Sequence, residues 1–555
     1  MLIVLARAGH RVLASQLADD GTALGTKPVE SLPEYVAAVE AEHHPRWVWD
    51  DTSRWYPSLL DSGVRVERCV DLRLCHMILR SSSLTAQSAL ATAPRGGWDA
   101  PAEPPVEPDA DDALFSLEAP DPVPDPDPLA EYLLQRAAVA DCPEPGRLAR
   151  LLAAESAGAL AAAEMRFAGL PWSVAAHDRI LTGTLGARPA DGQRPERMRE
   201  LVERIREILG VPELNPDSQA SLLSALQRAG LRVKSTSRWE LREVEHPVIE
   251  PLLEYKKLAR LLAANGWTWL QHWVADGRFR PEYLPGGVVT GRWATSGGGA
   301  LQLPRQIRGA VIADPGWTLV VADASQLEPR ILAAMAGDRG MVEAGSAGDL
   351  YAGIVASGAV DTRDEAKVAL LGAMYGATTG DSGRLLPRLT KAYPKALGLV
   401  EEAARAGERG EVVTTRLGRS SPLPGRGWRE AQSLAYGETA TEAETSRARS
   451  QARAWGRFTR NFIVQGTAAE WALCWMASAR RRLHQLGGHA RLTDAPHLVF
   501  FLHDEVVVHS PAELADRVAA ELRAAAAEAG RLLFGELPVQ FPLTVAIVDD
   551  YGKAK

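Results

Sequence analysis

Cysteine is scarce. The 555 residues hold four, Cys69, Cys75, Cys142 and Cys474, and none has CxxC spacing. That excludes a disulfide framework and a cysteine-based zinc site. Long hydrophobic runs are missing as well: no stretch of about 18 uncharged apolar residues occurs, so no membrane span is expected. The N-terminus, MLIVLARAGHRVLASQ, has neither a basic segment before its short apolar run nor a cleavage site. It reads as a first β-strand instead of a signal peptide, and the cytoplasm is the expected compartment. Positive charge is not in excess, the formal net charge being −8, and no internal repeat is visible. What is present is an ordinary globular composition, 46% hydrophobic and 24% charged, in a chain too long for one core. Two to four domains are expected, at roughly 100–200 residues each.

The acidity is localised. Residues 94–128 carry ten acids and one base, Arg95, which leaves the rest of the chain at +1. The same segment holds ten prolines, which fix φ and remove backbone donors, while its acids repel one another. It reads as a disordered acidic insertion. A near-neutral remainder with local basic clusters is compatible with a polyanionic partner. Before the insertion, MLIVLA, RVLASQLA and PRWVWDD have strand character and LPEYVAAVEAE is helical by period, which suggests a small α/β domain. Helices dominate from 129 to about 270. They include one over Pro195–Leu209, with the proline in its first turn and Gly210 as its stop, and another near 245–267. Beyond Thr290, strand-like runs return at TLVVADAS and HLVFFLHDEVVVHS, with mostly helix between them.

Two groups of residues stand out. Asp323 ends an apolar strand just before a helix that begins near Gln326, and Asp504 with Glu505 sits on a turn between two apolar strands. Two converging carboxylates are what a pair of Mg²⁺ ions about 3.5–4 Å apart requires. An acid at a strand end is also an ordinary cap or turn residue. The second group is Arg363, Lys367, Leu371 and Tyr375, four residues apart in DTRDEAKVALLGAMYG, with Asp361 or Thr362 as N-cap. On a helix they form one stripe about 18 Å long, which suits a triphosphate lying along it with its base near the ring. A surface helix laced by local ion pairs fits equally. Farther along, TGRWATSGGGALQLP is glycine-rich but is no P-loop. Arg457, Asn461 and Gln465 recur at helical pitch, and arginines crowd 416–460 at a density suited to phosphate contacts.

Taken in order, these segments resemble the family A DNA polymerases. DASQLEPR is similar to the family's motif A, RDEAKVALLGAMYG to motif B, and LHDEVVVHS to motif C; TGRWATSGGGALQLP and NFIVQGTAAE resemble two further family segments. The five cover roughly residues 250–555. The resemblance implies an α/β and α+β multidomain fold, in which an RNase H-like exonuclease-type domain precedes a right hand with an antiparallel palm sheet. The corresponding divisions are 1–141 (exonuclease-like, containing the insertion), 142–275 (helical thumb), 276–340 (palm), 341–455 (fingers) and 456–555 (palm). By the same resemblance, Asp323, Asp504 and the Ala324 carbonyl would bind two Mg²⁺ ions, with Mn²⁺ as a substitute, and Glu505 would be an auxiliary acid. Arg363 and Lys367 would hold the triphosphate of a dNTP, Lys367 also protonating pyrophosphate. Tyr375 would stack near the nascent pair and Glu328 would exclude a ribose 2′-hydroxyl. Arg292 and Gln465 would sense the minor groove, His503 would face the primer terminus, and Arg457 and Asn461 would contact the primer-template DNA. A monomer is expected.

Several residues depart from the family pattern. Leu371 stands where the family has an aromatic residue packing on the sugar, Ala324 follows the motif A aspartate in place of Tyr, Pro329 follows Glu328, and LQLP replaces LQNIP. None removes a metal ligand or a triphosphate cation, so retained activity with altered sugar selectivity is expected. The first strand lacks the Asp-x-Glu of a proofreading site, and Asp50, Asp51 and Asp71 cannot complete the usual set, so the exonuclease-like domain is expected to be inactive. No 5′-nuclease domain is expected. The competing readings are a single-subunit RNA polymerase, disfavoured by Glu328 and Glu505, and a degenerate DNA-binding scaffold, disfavoured by the intact acid and cation sets.

Overall fold

Continuous burial of Ile3, Val4 and Leu5 marks the first apolar run as a central strand, covered on both faces. It forms β1 (Leu2–Ala8) and is followed by β2 (Arg11–Leu17) and β3 (Ala23–Val29). After α1 (Leu32–His43) come β4 (Arg46–Trp49), α2 (Thr52–Asp61), β5 (Arg68–Asp71) and α3 (Leu72–Ser81). The five strands form one sheet in the order β3-β2-β1-β4-β5. Pairing is antiparallel from β3 through β1 and parallel from β1 through β5. This mixed sheet is compatible with the RNase H-like domain that the sequence leads one to expect. Trp47, Trp49, Trp55 and Tyr56 fill its core. Two helices follow, α4 (Pro128–Ala140) and α5 (Pro145–Ala168).

This computed structural model describes residues 1–100, 127–190, 192–377, 380–435, 437, 440–488 and 490–554, apart from the side chain of Asp381. Residues 101–126 of the acidic insertion lie outside the described residues; the ends of the segment are ordered. The Trp98 ring lies 6.5 Å from that of His76, Asp99 pairs with Arg80 at 2.6 Å, and Asp127 caps α4 through the Leu129 and Ala130 amides. Expected disorder thus gives way at both ends, where an aromatic ring and two carboxylates find partners.

The chain forms two compact units. One contains Met1–Ala168, Glu282–Ser296 and Val320–Ile547, the other Gly169–Pro281, Gly297–Leu319 and Val548–Lys555. These limits differ from the sequence divisions at 141/142 and 276. Leu148, Leu151 and Met165 of α5 are buried, and α5 packs on α2 and β5, so this helix belongs with the N-terminal sheet. In the second unit, α6 (Glu196–Leu209) has Pro195 at its N-cap, one position before the expected first turn, and Gly210 closes it at φ 63°. The helix expected near 245–267 is α7 (Ile249–Asn265). Trp172, His177, Trp269 and Phe279 gather there with ring centroids 5.1–5.7 Å apart.

The C-terminal part of the first unit, from Val320 onward, holds most of β6 (Trp317–Ala324) and α8 (Leu327–Ala336). The helices α9 (Arg363–Tyr375), α10 (Pro394–Glu408), α11 (Arg426–Ala435) and α12 (Glu442–Leu486) follow. Because α12 runs unbroken for 45 residues, it crosses the 455/456 division expected from sequence. The hairpin β7 (His497–Leu502) and β8 (Glu505–Pro511) is antiparallel, and α13 (Ala515–Phe534) and β9 (Leu543–Val548) end the unit. The four strands form a sheet in the order β7-β8-β6-β9.

One buried ionic cluster ties α12 to the N-terminal sheet. Arg480 donates to Glu164 of α5 at 2.8 Å and to the Val66 and Glu67 carbonyls, while Arg65 and the Tyr56 hydroxyl complete the shell of Glu164. Burial would raise the Glu164 pKa, but the two guanidiniums outweigh it and hold the carboxylate well below its ordinary value. Removing one partner from such a buried set typically costs about 3–5 kcal/mol.

Candidate active site

Sheet order places the two acids predicted to converge on neighbouring strands. Asp323 is the penultimate residue of β6, and Asp504 closes the turn that leads into β8, the strand beside it. The contact is direct: the Ala324 amide donates to the Asp504 carbonyl at 2.9 Å. Both aspartates are partly exposed, whereas Glu505 and Ala324 are buried. Two non-glycine residues adopt left-handed backbone here, Gln326 (φ 57°) and His503 (φ 60°). Such conformations are costly for ordinary residues and concentrate where a fold must aim side chains. Partial burial and the charge of Arg292 hold the His503 ring below its usual pKa.

Helix α9 begins as its sequence predicts. Thr362 is the N-cap and forms a reciprocal capping box with Glu365, so Asp361 is not the cap. Ala366, Ala369, Leu370, Ala373 and Met374 are buried, which turns the stripe Arg363, Lys367, Leu371 and Tyr375 toward the open side. Arg363, Lys367 and Tyr375 are exposed and Leu371 is half-buried. At the end of the stripe, the Tyr375 hydroxyl donates to Glu328 at 2.6 Å, and Arg292 pairs with the other oxygen of Glu328. Gln465 on α12 also hydrogen-bonds Tyr375. Residues from four segments thus form one cluster. Partial burial and the adjoining Glu328 raise the Tyr375 pKa, so the phenol keeps its proton as donor. Asn461 is half-buried one turn from Gln465, and Arg457 lies against Gly376, where an added Cβ would come within 3.0 Å of Arg457 Cγ.

Three positioning residues were missed at the level of sequence. Asp349 receives Arg363 Nε at 2.8 Å and the Gln326 amide at 2.7 Å. Burial pushes its carboxyl up, but these bonds outweigh that and bring its pKa to about 2. It therefore ties the first cation of the stripe to the left-handed residue that follows the strand-end acid. Arg330 is buried and donates to the Ser325, Gly345, Gly348 and Gln540 carbonyls, fixing the turn after Asp323. Arg419 pairs with buried Glu155 and packs against Gly291, next to Arg292. Gly348-Asp349 before an apolar run was a readable N-cap signal; the ties made by Arg330 and Arg419 left none.

The geometry agrees with the matches to known proteins. The model of DNA polymerase family A matches residues 190–552. The chain belongs to DNA polymerase family A. It is 27% identical over 390 residues to a thermostable DNA polymerase I of Thermus thermophilus, covering 63% of this chain and 43% of that protein. A DNA polymerase I of Chloroflexus aurantiacus is 26% identical over 375 residues, covering 59% and 36%. The chain thus spans under half the length of these curated relatives. The polymerase domain of Pol1 from M. smegmatis, solved as a complex with DNA primer-template and dNTP, superposes with a TM-score of 0.66 at 18% identity, covering 100% of this chain and 95% of that one. This likeness shows that the chain shares the fold of that polymerase domain. Among the described residues, no helix is long and apolar enough to cross a membrane.

Proposed function

We propose that this family A polymerase performs template-directed DNA synthesis, adding dNTPs to the 3′-hydroxyl of a primer and releasing pyrophosphate. The observation that carries the reading is the hydrogen bond from the Ala324 amide to the Asp504 carbonyl, which makes the two aspartates neighbours across adjoining strands. Partly exposed carboxylates with an adjacent backbone carbonyl are an all-oxygen donor set, which suits hard divalent cations. Asp323, Asp504 and the Ala324 carbonyl would hold two Mg²⁺ ions, or Mn²⁺ in their place. When bound, such ions acidify the attacking hydroxyl and neutralise charge on the leaving group.

The remaining work falls to the chain. Arg363 and Lys367 bind the triphosphate along α9 and keep its α-phosphorus in line with the primer oxygen. The primer O3′ forms the new bond to phosphorus as the bond to pyrophosphate breaks, and Lys367 Nζ supplies a proton to that leaving group. Glu328, held by Tyr375 and Arg292, blocks the place of a ribose 2′-hydroxyl. Arg292 and Gln465 read the minor-groove edge of the primer end, His503 faces its terminus, and Arg457 and Asn461 steady the DNA.

In the N-terminal sheet, we infer an exonuclease-like domain without catalysis. Asp50 is engaged by Arg54 and Trp55, and Asp51 and Asp71 cap helices. Primer extension on a templated duplex with dNTPs or NTPs tests the whole reading. Templated addition of dNTPs alone is expected. Preference for NTPs would favour an RNA polymerase, and no addition would favour a scaffold.

A further inference from the structure

A second basic region lies in the first unit, apart from the residues assigned to synthesis. A cavity of about 320 Å³ opens where the edge strand β5 meets α5, the C-terminal part of α12 and α13. All of these elements belong to the same compact unit, and no residue of the candidate active site lines the cavity. Five arginines and two glutamates do, an excess of three positive charges. The glutamates are already engaged. Glu528 accepts from Arg481, Arg482 and Ser478 at 2.6–3.0 Å, and Glu67 lies 3.5 Å from His44.

The arginines are not neutralised in return. Arg46 and Arg68 stand in register on the neighbouring strands β4 and β5. Arg46 is half-buried, and among the described residues its side chain makes no hydrogen bond or ion pair. Burial and the adjacent Arg68 pull its guanidinium below the usual pKa. Arg68 and Arg150 are exposed and donate to the His44 and Leu532 carbonyls, which leave their charge uncompensated. Arg480 is buried, and its Nε has no hydrogen-bond partner among the described residues. A cation drawn out of water without a counter-charge is costly. An anion in the cavity offsets that cost.

The rest of the lining is small and apolar. Ala154 and Ala157 of α5 and Ala477 of α12 leave the space between the cations unfilled. The volume falls within the range of small-molecule sites, about 300–1,000 Å³, and is more than a lone phosphate needs. We propose that this cavity binds an organic phosphate of mononucleotide size, its phosphate against Arg46, Arg68 and Arg150 and its ring over the alanines. Guanidiniums match phosphate oxygens in charge and in donor geometry. Such a site goes beyond DNA synthesis and does not depend on it.

The test is equilibrium binding to the full chain without magnesium or DNA, with adenosine 5′-monophosphate, adenosine and inorganic phosphate as probes. Saturable binding of the monophosphate is expected, with adenosine and phosphate each at least about tenfold weaker, because each keeps only one of the two contacts. Arg46→Gln/Arg150→Gln should weaken the monophosphate by about tenfold or more, and Arg46→Lys/Arg150→Lys should recover part of the loss by restoring the charge. A circular dichroism melt of both pairs checks the fold. Arg363→Ala/Lys367→Ala should leave monophosphate binding unchanged, which separates the cavity from the triphosphate stripe. Absence of saturable binding to the wild type, equal affinity for adenosine, or a loss confined to Arg363→Ala/Lys367→Ala would overturn the proposal. So would a glutamine pair that weakens primer-template DNA as much as the monophosphate, since the arginines would then be a DNA surface.

Discussion

Two sets of carboxylates end strands in this chain, and they meet different fates. In the N-terminal sheet, Asp50 accepts from Trp55 Nε1 and Arg54, Asp51 caps α2, and Asp71 takes the Thr52 and Leu74 amides. No acid comes from β1, where Arg7 instead lies 4.9 Å from the centre of the Trp55 ring. Burial and the nearby Asp51 raise the Asp71 pKa to about 7. In the C-terminal sheet, Asp323 and Asp504 are partly exposed, and their backbones are joined strand to strand. The comparison teaches that a strand-end position does not by itself fit an acid for metal chemistry, because helix caps, an indole and a guanidinium can take up its oxygens. A carboxylate already satisfied by amides, an indole and a guanidinium has little left for a cation.

The contrast can be broken most decisively by exchanging single atoms. Asp323→Asn or Asp504→Asn is expected to lower primer extension on the order of 10³-fold, while Asp71→Asn leaves it at the wild-type level. Equal losses from both sheets would end the distinction. Lys367→Ala should reduce the single-turnover rate of dNTP addition about 10²-fold with little effect on DNA affinity, separating the triphosphate stripe from the DNA surface.

Stability reads the other side of the comparison. Asp71→Ala is expected to cost about 1–2 kcal/mol in chemical denaturation near pH 5, through a lost helix cap. It should also flatten the pH profile. The folded pKa of Asp71, about 7, lies above the ordinary carboxyl value, so the folded state binds the extra proton. Its contribution is complete below about pH 4 and is lost as the pH rises through 7. A wild-type profile no steeper than that of the variant over this range would remove Asp71 from the account. The smallest expected effect is on sugar choice. Leu371→Phe should shift the ratio of dideoxy- to deoxynucleotide incorporation by up to roughly fivefold, since an aromatic face contributes about 0.5–1.5 kcal/mol beyond its area. Identical ratios would show that position 371 does not meet the sugar.

Much of this was legible because the signals are local. A left-handed Gly210 stop, the Thr362 capping box, the period of α9 and the apolar runs around His503-Asp504 are properties of short windows, and each was readable before any coordinates. The spacing of Arg363, Lys367, Leu371 and Tyr375 determined one helical stripe, and the order of five motifs determined the family. Tertiary structure alone decided that β8 lies beside β6, so that residues 181 positions apart share a hydrogen-bonded junction. It also decided that α5 joins the N-terminal sheet, and that buried Arg330 and the half-buried Asp349 and Arg419 brace the site. The reason is physical. Caps and periods arise from hydrogen bonds and side-chain directions within a few residues, whereas strand adjacency and buried ion pairs depend on which distant surfaces lose water together.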